Sequence, residues 1–428
     1  MSARSRFDRR DFIKLGLAAS ATSLLTACGA SPVRTSGNKP RVAVIGGGYA
    51  GATVAKYLRN WSNAEIDVVV VEPNPYFISC PLSNLVIGGS KQLEDLSFSY
   101  SGIKTNHGIQ WVRDTVVDVD TSKKQIQLKR GSFSYDKLVL APGVDFIYDT
   151  LPMLADPTVQ EHIPHAWKAG SQTLNLHRQL ADMREGGVFV MTIPMAPYRC
   201  PPGPYERVCQ VAYFLKQHNP AAKIIVLDAN PDIVSKKGLF LKVWASQYPG
   251  MVDYRPNSGV VDLDIDTKTV QTEFELVRAD VLNVIPTQRA GTIAQQLGVA
   301  NVDQRWCEVD FLTYESKVIP DIYIVGDSVS AGLPKSAHMA TSQARVCASA
   351  IVADYSQIAP DPVPVFANTC YSFVNDKMAM HVAHVYRYDP VKKIMLPHES
   401  GGVSDAPSEL EGSYAFDWAR NIWSDVLT

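Results

Sequence analysis

The sequence predicts an α/β protein made of two Rossmann-like domains, the first of them discontinuous, and a C-terminal α+β domain. At 428 residues the chain is too long for a single hydrophobic core. A β-branched run at 41–45 passes through a glycine-rich turn into a helical stretch, as a βαβ unit does at its start. Apolar runs at 188–193 and 223–228 predict the first two strands of a second unit, and 322–327 predicts another buried strand.

The composition and the cysteine spacing exclude several classes of protein. The formal net charge is -2, so the chain has no large basic excess that would favour nucleic acid as a partner. No Cys-x-x-Cys spacing occurs, so we predict no zinc ribbon, no iron–sulfur cluster and no other metal site. No Cys-x-x-Cys-His occurs either, and we predict no haem on this chain.

Residues 1–27 have the pattern of a twin-arginine export signal, which carries folded proteins out of the cytoplasm. Arg9 and Arg10 precede a weakly apolar run at 15–25 that is too short to span a bilayer. We therefore expect a periplasmic protein; the alternative is a chance arginine pair before an apolar helix. Cys28 then ends a lipoprotein-type box. Either Cys28 is lipidated as a membrane anchor, or the leader is simply cleaved near that point.

The glycine-rich turn after the first strand has the spacing that binds a dinucleotide. Gly46 permits the tight turn, Gly48 lets the backbone approach a pyrophosphate, and Gly51 lets helix and strand pack closely. The pyrophosphate is then held at the helix N-terminus. Glu72 ends the next predicted strand, 21 residues after Gly51, where a carboxylate accepts hydrogen bonds from the ribose hydroxyls.

Two later segments favour FAD over NAD as the dinucleotide. The strand at 137–143 ends in a small-residue turn with Gly143, and a strand further on ends in Gly326 and Asp327. Together with the first turn they resemble the FAD-binding half of the glutathione reductase superfamily. The resemblance implies that Asp327 bonds the ribityl chain and that a helix starting near Lys335 points at the flavin. Lys335 is then either close to the flavin O2 or an ordinary solvated lysine.

The second domain has a turn that is unsuited to phosphate. The turn at 194–203 contains four prolines and one glycine, whereas a phosphate-binding loop needs glycines and free N–H groups. Asp228 ends the next strand in the position of a ribose-binding acid, but we interpret it as a remnant or a capping residue. We predict that this domain keeps a nicotinamide-type fold and has lost the nicotinamide site.

Four longer motifs make the resemblance specific. They are Asn-Pro-Tyr-Phe-Ile-Ser-Cys-Pro-Leu-Ser-Asn at 74–84, Pro-His-Ala-Trp-Lys-Ala-Gly at 164–170, Arg-Cys-Pro-Pro-Gly-Pro-Tyr-Glu-Arg at 199–207 and Asn-Thr-Cys-Tyr-Ser at 368–372. Together they resemble the flavoprotein subunit of flavocytochrome c sulfide dehydrogenase, along essentially the whole chain after the leader. The motif at 199–207 is the most specific, because the broad superfamily does not share it.

The resemblance implies roles for three cysteines. Cys80 matches the cysteine that carries FAD through an 8α-thioether bond, and the alternative is an ordinary buried thiol. Cys200 and Cys370 match a redox-active disulfide above the flavin, and the alternative is a structural cross-link. Hydrosulfide would attack one sulfur and leave a persulfide there, while the other sulfur leaves as a thiolate. Glu206 is either a base for this chemistry or a carboxylate that complements a helix N-terminus.

The expected activity is that of a sulfide:cytochrome c oxidoreductase, a sulfide dehydrogenase with a small inorganic sulfur substrate. The resemblance implies a separate c-type cytochrome subunit as electron acceptor, and the predicted helix at 412–428 packs on its own domain or on that partner. Two alternatives stay open: a sulfide:quinone oxidoreductase, and a flavoprotein accessory factor of thiosulfate-oxidising complexes. The predicted bounds are leader 1–27, linker 28–37, FAD-binding domain 38–150 and 276–355, degenerate NAD-type domain 151–275 and C-terminal domain 356–428.

Overall fold

The structure is a computed structural model that describes residues 33, 37 and 39–428. The predicted export signal and Cys28 lie outside the described residues.

Most strands of the described chain are short and belong to one of seven sheets. They are β1 Arg41–Ile45, β2 Asp67–Val71, β3 Phe77–Ile78, β4 Ser97–Phe98, β5 Gln110–Val112, β6 Val116–Asp120, β7 Gln125–Leu128, β8 Gly131–Ser134, β9 Lys137–Leu140, β10 Val144–Ile147, β11 Val188–Ile193, β12 Lys223–Asp228, β13 Val252–Arg255, β14 Val260–Asp264, β15 Thr269–Thr272, β16 Leu276–Arg278, β17 Val281–Val284, β18 Thr287–Ala290, β19 Ile322–Ile324, β20 Val365–Phe373, β21 Ala379–Asp389 and β22 Ile394–Val403.

The helices of the described chain vary from single turns to long amphipathic elements. They are Tyr49–Trp61, Ser83–Ile87, Ser101–His107, Pro157–His162, Ser171–Ala181, Gly203–His218, Lys237–Gln247, Thr292–Gln296, Ala337–Tyr355 and Glu409–Leu427.

The first domain is a parallel sheet in the order β19-β9-β1-β2-β5. Its central strands β1 and β2 are almost wholly buried, which explains why they are continuous runs of valine, alanine and isoleucine. β19 comes from far downstream and pairs with β9, so the domain is discontinuous as predicted. The predicted fold class, α/β with two Rossmann-like domains, is confirmed.

The second domain is a parallel sheet in the order β13-β12-β11-β17. β17 pairs with β11, so the domain extends to about residue 285 and the predicted boundary at 275/276 is wrong. The short apolar run of β17 looks, in sequence, like any buried strand, and only its pairing assigns it to this sheet. β10 and β18 then form an antiparallel ribbon where the chain crosses between the domains.

The C-terminal domain is the antiparallel sheet β20-β21-β22 followed by the helix Glu409–Leu427. The helix begins at Ser408, whose side chain caps the N–H of Glu411, and its buried residues recur with a helical spacing. It packs on β21 and on the helix Tyr49–Trp61 of the first domain. Within residues 39–428, no helix combines the length and apolar character needed to cross a bilayer.

Candidate active site

All three domains contribute to a cavity of about 450 Å³. The cavity brings together ten of the twelve residues predicted for the site, although they are spread over more than 320 positions of the chain. These ten are Gly48, Glu72, Cys80, Gly143, Cys200, Glu206, Gly326, Asp327, Lys335 and Cys370.

One end of the cavity is built by the first glycine turn. Gly46 has φ +103°, and a Cβ there would lie 2.3 Å from the Ala141 carbonyl oxygen, while a Cβ on Gly51 would lie 1.9 Å from the Gly46 carbonyl oxygen. These two glycines therefore lie behind the cavity wall and allow strand and helix to approach. Glu72 accepts a hydrogen bond from the backbone N–H of Gly47 at 2.7 Å, which fixes the carboxylate beside the turn.

The residues at this end fit FAD. A Cβ on Gly48 would meet no atom within 4 Å, and no side chain caps the helix that begins at Tyr49. The helix N-terminus therefore faces open space that suits a pyrophosphate. Further along, Gly143 also faces open space with φ +68°. The Asp327 carboxylate lines the cavity and accepts no hydrogen bond from any group in residues 39–428, so it is available to ribityl hydroxyls.

Lys335 is buried, so the alternative of a solvated lysine is wrong. Its ammonium donates to the carbonyl oxygens of Asp327 at 2.7 Å and Val329 at 2.8 Å, and it lies 3.7 Å from the centre of the Trp306 ring. Burial lowers the pKa of Lys335 to about 8. The lysine thus holds the chain between β19 and the helix Ala337–Tyr355, whose N-terminus borders the cavity through His338.

Cys80 is a half-buried free thiol in the cavity wall. The residue before it, Ser79, is fully buried and bonds to the Tyr49 hydroxyl at 2.7 Å. The indole N–H of Trp423 donates to the same pair, at 3.1 Å to Tyr49 and 3.0 Å to Ser79. The backbone that carries Cys80 is therefore fixed against both the first helix and the last.

Cys200 lies in the proline-rich turn of the second domain with φ +59°, a conformation that side chains rarely adopt. Its backbone N–H donates to the Lys335 carbonyl oxygen at 2.8 Å, and its carbonyl accepts from Gly203 at 2.8 Å. Strain of this kind persists only where surrounding contacts enforce it, and it clusters at functional sites. Burial raises the pKa of the Cys200 thiol, and the neighbouring Cys370 raises it further.

Cys370 reaches the same wall of the cavity from β20. Asn368 donates its amide N–H to the Cys370 sulfur at 3.5 Å, and Asn368 is itself held by the Ser336 hydroxyl at 2.5 Å. Burial raises the pKa of the Cys370 thiol, whereas the nearby Lys236 lowers it. Cys200 and Cys370 are both free thiols in the structure. The two cysteines predicted as a pair line the same cavity, and the disulfide between them stays a prediction.

Glu206 is buried on the first turn of the helix Gly203–His218 and links three parts of the site. One carboxylate oxygen accepts from the backbone N–H of Phe373 at 2.8 Å, and the other from the amide of Asn84 at 2.9 Å. Burial raises the pKa of Glu206, although these bonds oppose the shift. A buried carboxyl with a raised pKa in the wall that holds both cysteines is suited to proton transfer.

Arg207 is a site residue to which the sequence analysis gave no role. Its guanidinium is almost completely buried, donates to the carbonyl oxygens of His165 and Ala166, and lies 4.8 Å from the centre of the Trp167 ring. Burial lowers its pKa to about 9. His165, Trp167 and Arg207 belong to the motifs at 164–170 and 199–207, but their mutual contacts are seen only in the folded chain.

The nicotinamide-type position of the second domain is filled by protein groups. The Asp228 carboxylate is fully buried and accepts from the hydroxyls of Tyr205 at 2.8 Å and Tyr254 at 2.9 Å. Its other oxygen accepts two bonds from Asn230. No acceptor position is left for a ribose, which agrees with the interpretation of Asp228 as a remnant.

Comparison with known families identifies three segments. Residues 173–286 match a profile described as the central part of the flavoprotein chain of sulfide dehydrogenase (flavocytochrome c). Residues 362–427 match the flavin-binding part of flavocytochrome c sulphide dehydrogenase, and residues 40–167 match pyridine nucleotide-disulphide oxidoreductase. Each of the three domains contains at least part of one matched segment, whereas residues 287–361 lie outside all three.

Individual relatives are more distant. The chain is 25% identical over 337 residues to the mitochondrial sulfide:quinone oxidoreductase of Mus musculus, covering 73% of this chain and 70% of that protein. It is 22% identical over 320 residues to the same enzyme of Dictyostelium discoideum, covering 72% and 70%. The crystal structure of the sulfide:quinone oxidoreductase from Aquifex aeolicus shares the fold with a TM-score of 0.73 at 19% identity, covering 90% of this chain and 91% of that one.

Proposed function

Because the chain carries the domains of the flavocytochrome c sulfide dehydrogenase flavoprotein family, we propose that it is a sulfide:cytochrome c oxidoreductase. One observation carries the proposal: Cys200 and Cys370, from two different domains, line one cavity with the residues that suit FAD. A two-electron sulfur donor needs an electrophilic disulfide close to an electron acceptor, and a disulfide between these cysteines beside a bound FAD would meet both needs.

The cysteines perform the sulfur chemistry. In the oxidised enzyme Cys200 and Cys370 form a disulfide, and hydrosulfide breaks it by forming a new S–S bond to one of the two sulfurs. That cysteine becomes a persulfide, and the other leaves with the electron pair of the broken bond as a thiolate. A second sulfur nucleophile then removes the outer sulfur of the persulfide, so that both cysteines are left reduced.

The remaining residues hold the acceptor and the protons. When bound, FAD would supply both two-electron and one-electron redox chemistry next to the cysteines. Gly48 and Asp327 would hold the two ends of its diphosphate–ribityl chain, and Cys80 would attach it covalently. Glu206 borders the same cavity and would accept the proton released as the cysteines re-form their bond.

A quinone is the second candidate acceptor. It is favoured by the similarity to the two mitochondrial sulfide:quinone oxidoreductases. The cytochrome is favoured by the two matched segments of the flavocytochrome c flavoprotein, which lie in the parts of the chain that hold Cys200 and Cys370. The acceptor therefore has to be decided by kinetics.

The test is sulfide-dependent reduction of each acceptor by the purified flavoprotein under anaerobic conditions. We expect fast reduction of a c-type cytochrome, slow reduction of a short-chain ubiquinone, and no reduction of either by Cys200→Ser or Cys370→Ser. A preference for the quinone would refute the cytochrome proposal in favour of the second candidate. If wild-type protein loaded with FAD reduced neither acceptor, the chain would instead be an accessory factor.

We also propose that the protein is exported to the periplasm by the twin-arginine route, on the evidence of residues 1–27. Replacing Arg9 and Arg10 with lysine should leave the protein in the cytoplasm, as measured by fractionation. An unchanged periplasmic yield would refute the proposal. The mass of the mature N-terminus would show whether Cys28 carries lipid.

A further inference from the structure

Lys236 places a buried ammonium directly behind Cys370. It precedes the helix Lys237–Gln247 with φ +56°, and its side chain is almost completely enclosed. The ammonium donates to the Cys370 carbonyl oxygen at 2.9 Å and to the Ser372 hydroxyl at 2.8 Å, with a longer contact of 3.4 Å to the Met380 carbonyl oxygen. All its donors are thus directed at the β20–β21 hairpin that carries the cysteine.

The charge of Lys236 is not neutralised by a carboxylate in direct contact. Among residues 39–428 it forms no ion pair within 4 Å, unlike the adjacent Lys237, which is exposed and pairs with Asp232. A buried cation without a partner is costly, so a nearby anion is strongly favoured. The titratable groups that face Lys236 are Cys370, Glu206, Cys200 and Glu411.

Cys370 is the partner that the geometry favours. The ammonium bonds the backbone of Cys370 itself, and the Cys370 sulfur receives the amide N–H of Asn368. The Cys200 sulfur receives no hydrogen bond from residues 39–428. Burial lowers the pKa of Lys236 to about 8, and the same lysine lowers the pKa of the Cys370 thiol against the effect of its own burial. The titratable groups around Cys370 are Lys236, Glu206, Cys200 and Tyr386.

We propose that Lys236 is a positioning residue that holds the Cys370 strand and stabilises Cys370 as a thiolate whenever the Cys200–Cys370 pair is reduced. The inference rests on the proposed function and adds a residue to it. Two-electron reduction of the disulfide produces two separate cysteine sulfurs, and each of them can bind one proton. When one proton leaves for solvent, the negative charge that remains on Cys370 is offset by the ammonium.

Through Lys236, the second domain contacts the strand that carries Cys370. The segment after β12 follows Asp228, whose oxygens are all bonded to protein groups. This segment places the Lys236 ammonium against the carbonyl oxygen of Cys370, which belongs to another domain. On this proposal the second domain contributes a positioning residue to the reaction even though its nucleotide position is filled.

The test is the pH dependence of Cys370 alkylation in the reduced protein. Iodoacetamide reacts with the thiolate, and the modified peptide is quantified by mass spectrometry across a pH series. We compare wild type with Lys236→Gln, which keeps N–H donors without charge, Lys236→Met, which keeps neither, and Lys236→Arg, which keeps both. Lys237→Met is the matched control, since it removes the exposed neighbouring lysine.

We expect the alkylation midpoint to rise by about one pH unit in the Gln and Met variants, equal to a tenfold slower reaction near neutral pH. Lys236→Arg and Lys237→Met should keep the wild-type midpoint. If Lys236→Gln also keeps it, the lysine is only a tether and the proposal fails. Should both neutral variants fail to fold, a raised midpoint in Lys236→Arg would overturn the proposal, and an unchanged or lower one would support it. The assay uses neither sulfide nor an acceptor, so a failure of the proposed function would be seen separately.

Discussion

The backbone N–H of Cys200 donates to the carbonyl oxygen of Lys335 at 2.8 Å, a bond that joins two domains at the site. Cys200 belongs to the turn after β11 in the second domain, and Lys335 precedes the helix whose N-terminus borders the cavity. The turn that carries Cys200 is thus positioned by a segment that also borders the cavity. A small displacement of the turn should therefore affect sulfur chemistry more than FAD binding.

Gly203→Ala tests this directly. A Cβ on Gly203 would lie 2.9 Å from the Cys200 sulfur and 3.0 Å from the Trp167 ring, so the sulfur must move. We expect sulfide oxidation to fall by at least about tenfold, because small misplacements of reacting groups are costly, while the FAD content is unchanged. Gly238→Ala is the control, since a Cβ there meets nothing within 4 Å. Equal activity of the two variants would contradict the predicted role of Cys200.

Cys80→Ser tests the covalent flavin. After acid denaturation and gel electrophoresis, flavin fluorescence should stay with the wild-type polypeptide and with Cys200→Ser, and should be lost from Cys80→Ser. Cys80 is the half-buried thiol closest in sequence to β2 and Glu72, and it lines the cavity. Loss of fluorescence from the wild type would show that Cys80 is an ordinary thiol.

Trp423→Phe tests the contact between the last helix and the Cys80 segment. The change removes one indole N–H that bonds both Tyr49 and Ser79. We expect the free energy of unfolding to fall by about 1 kcal/mol, measured by urea denaturation, and the flavin to be lost more readily from a Cys80→Ser background. Trp61→Phe, at a 43% exposed tryptophan, should change stability by less than about 0.5 kcal/mol. A similar loss in both variants would contradict the specific role of Trp423.

His165 predicts a pH dependence of stability. Burial lowers its pKa to about 3, from an ordinary value of 6.5. Between these values the unfolded chain binds a proton that the folded chain does not, so stability is full above pH 6.5 and falls as the pH decreases from 6.5 towards 3. Between pH 7 and pH 5, the free energy of unfolding of the wild type should fall by about 2 kcal/mol more than that of His165→Gln.

The control for this measurement is His398→Gln, because His398 is exposed on β22. Its free energy of unfolding should fall with decreasing pH as that of the wild type does. If His165→Gln shows the same decline as the wild type, the imidazole of His165 is protonated in the folded state as readily as in the unfolded chain.

The sequence predicted the parts of the site that local patterns encode. The strands at 41–45, 188–193 and 223–228 have the predicted bounds, because buried parallel strands are continuous apolar runs and their ends are marked by turns. The strand β17 was assigned to the wrong domain, since strand pairing is not a local property. Lys236 was missed for a similar reason, because a lysine before a helix looks solvated until the fold places it against another domain.

The helix Glu409–Leu427 has a consequence for how the protein is made. Trp418 lines the cavity and Trp423 bonds Tyr49, which lies 374 positions earlier in the chain. In a nascent chain whose glycine turn has already folded, the cavity wall stays incomplete until Trp418 and Trp423 have been synthesised. A chain that terminates before Trp418 therefore lacks this part of the cavity wall, and we expect it to acquire no covalently attached flavin even when the glycine turn has folded.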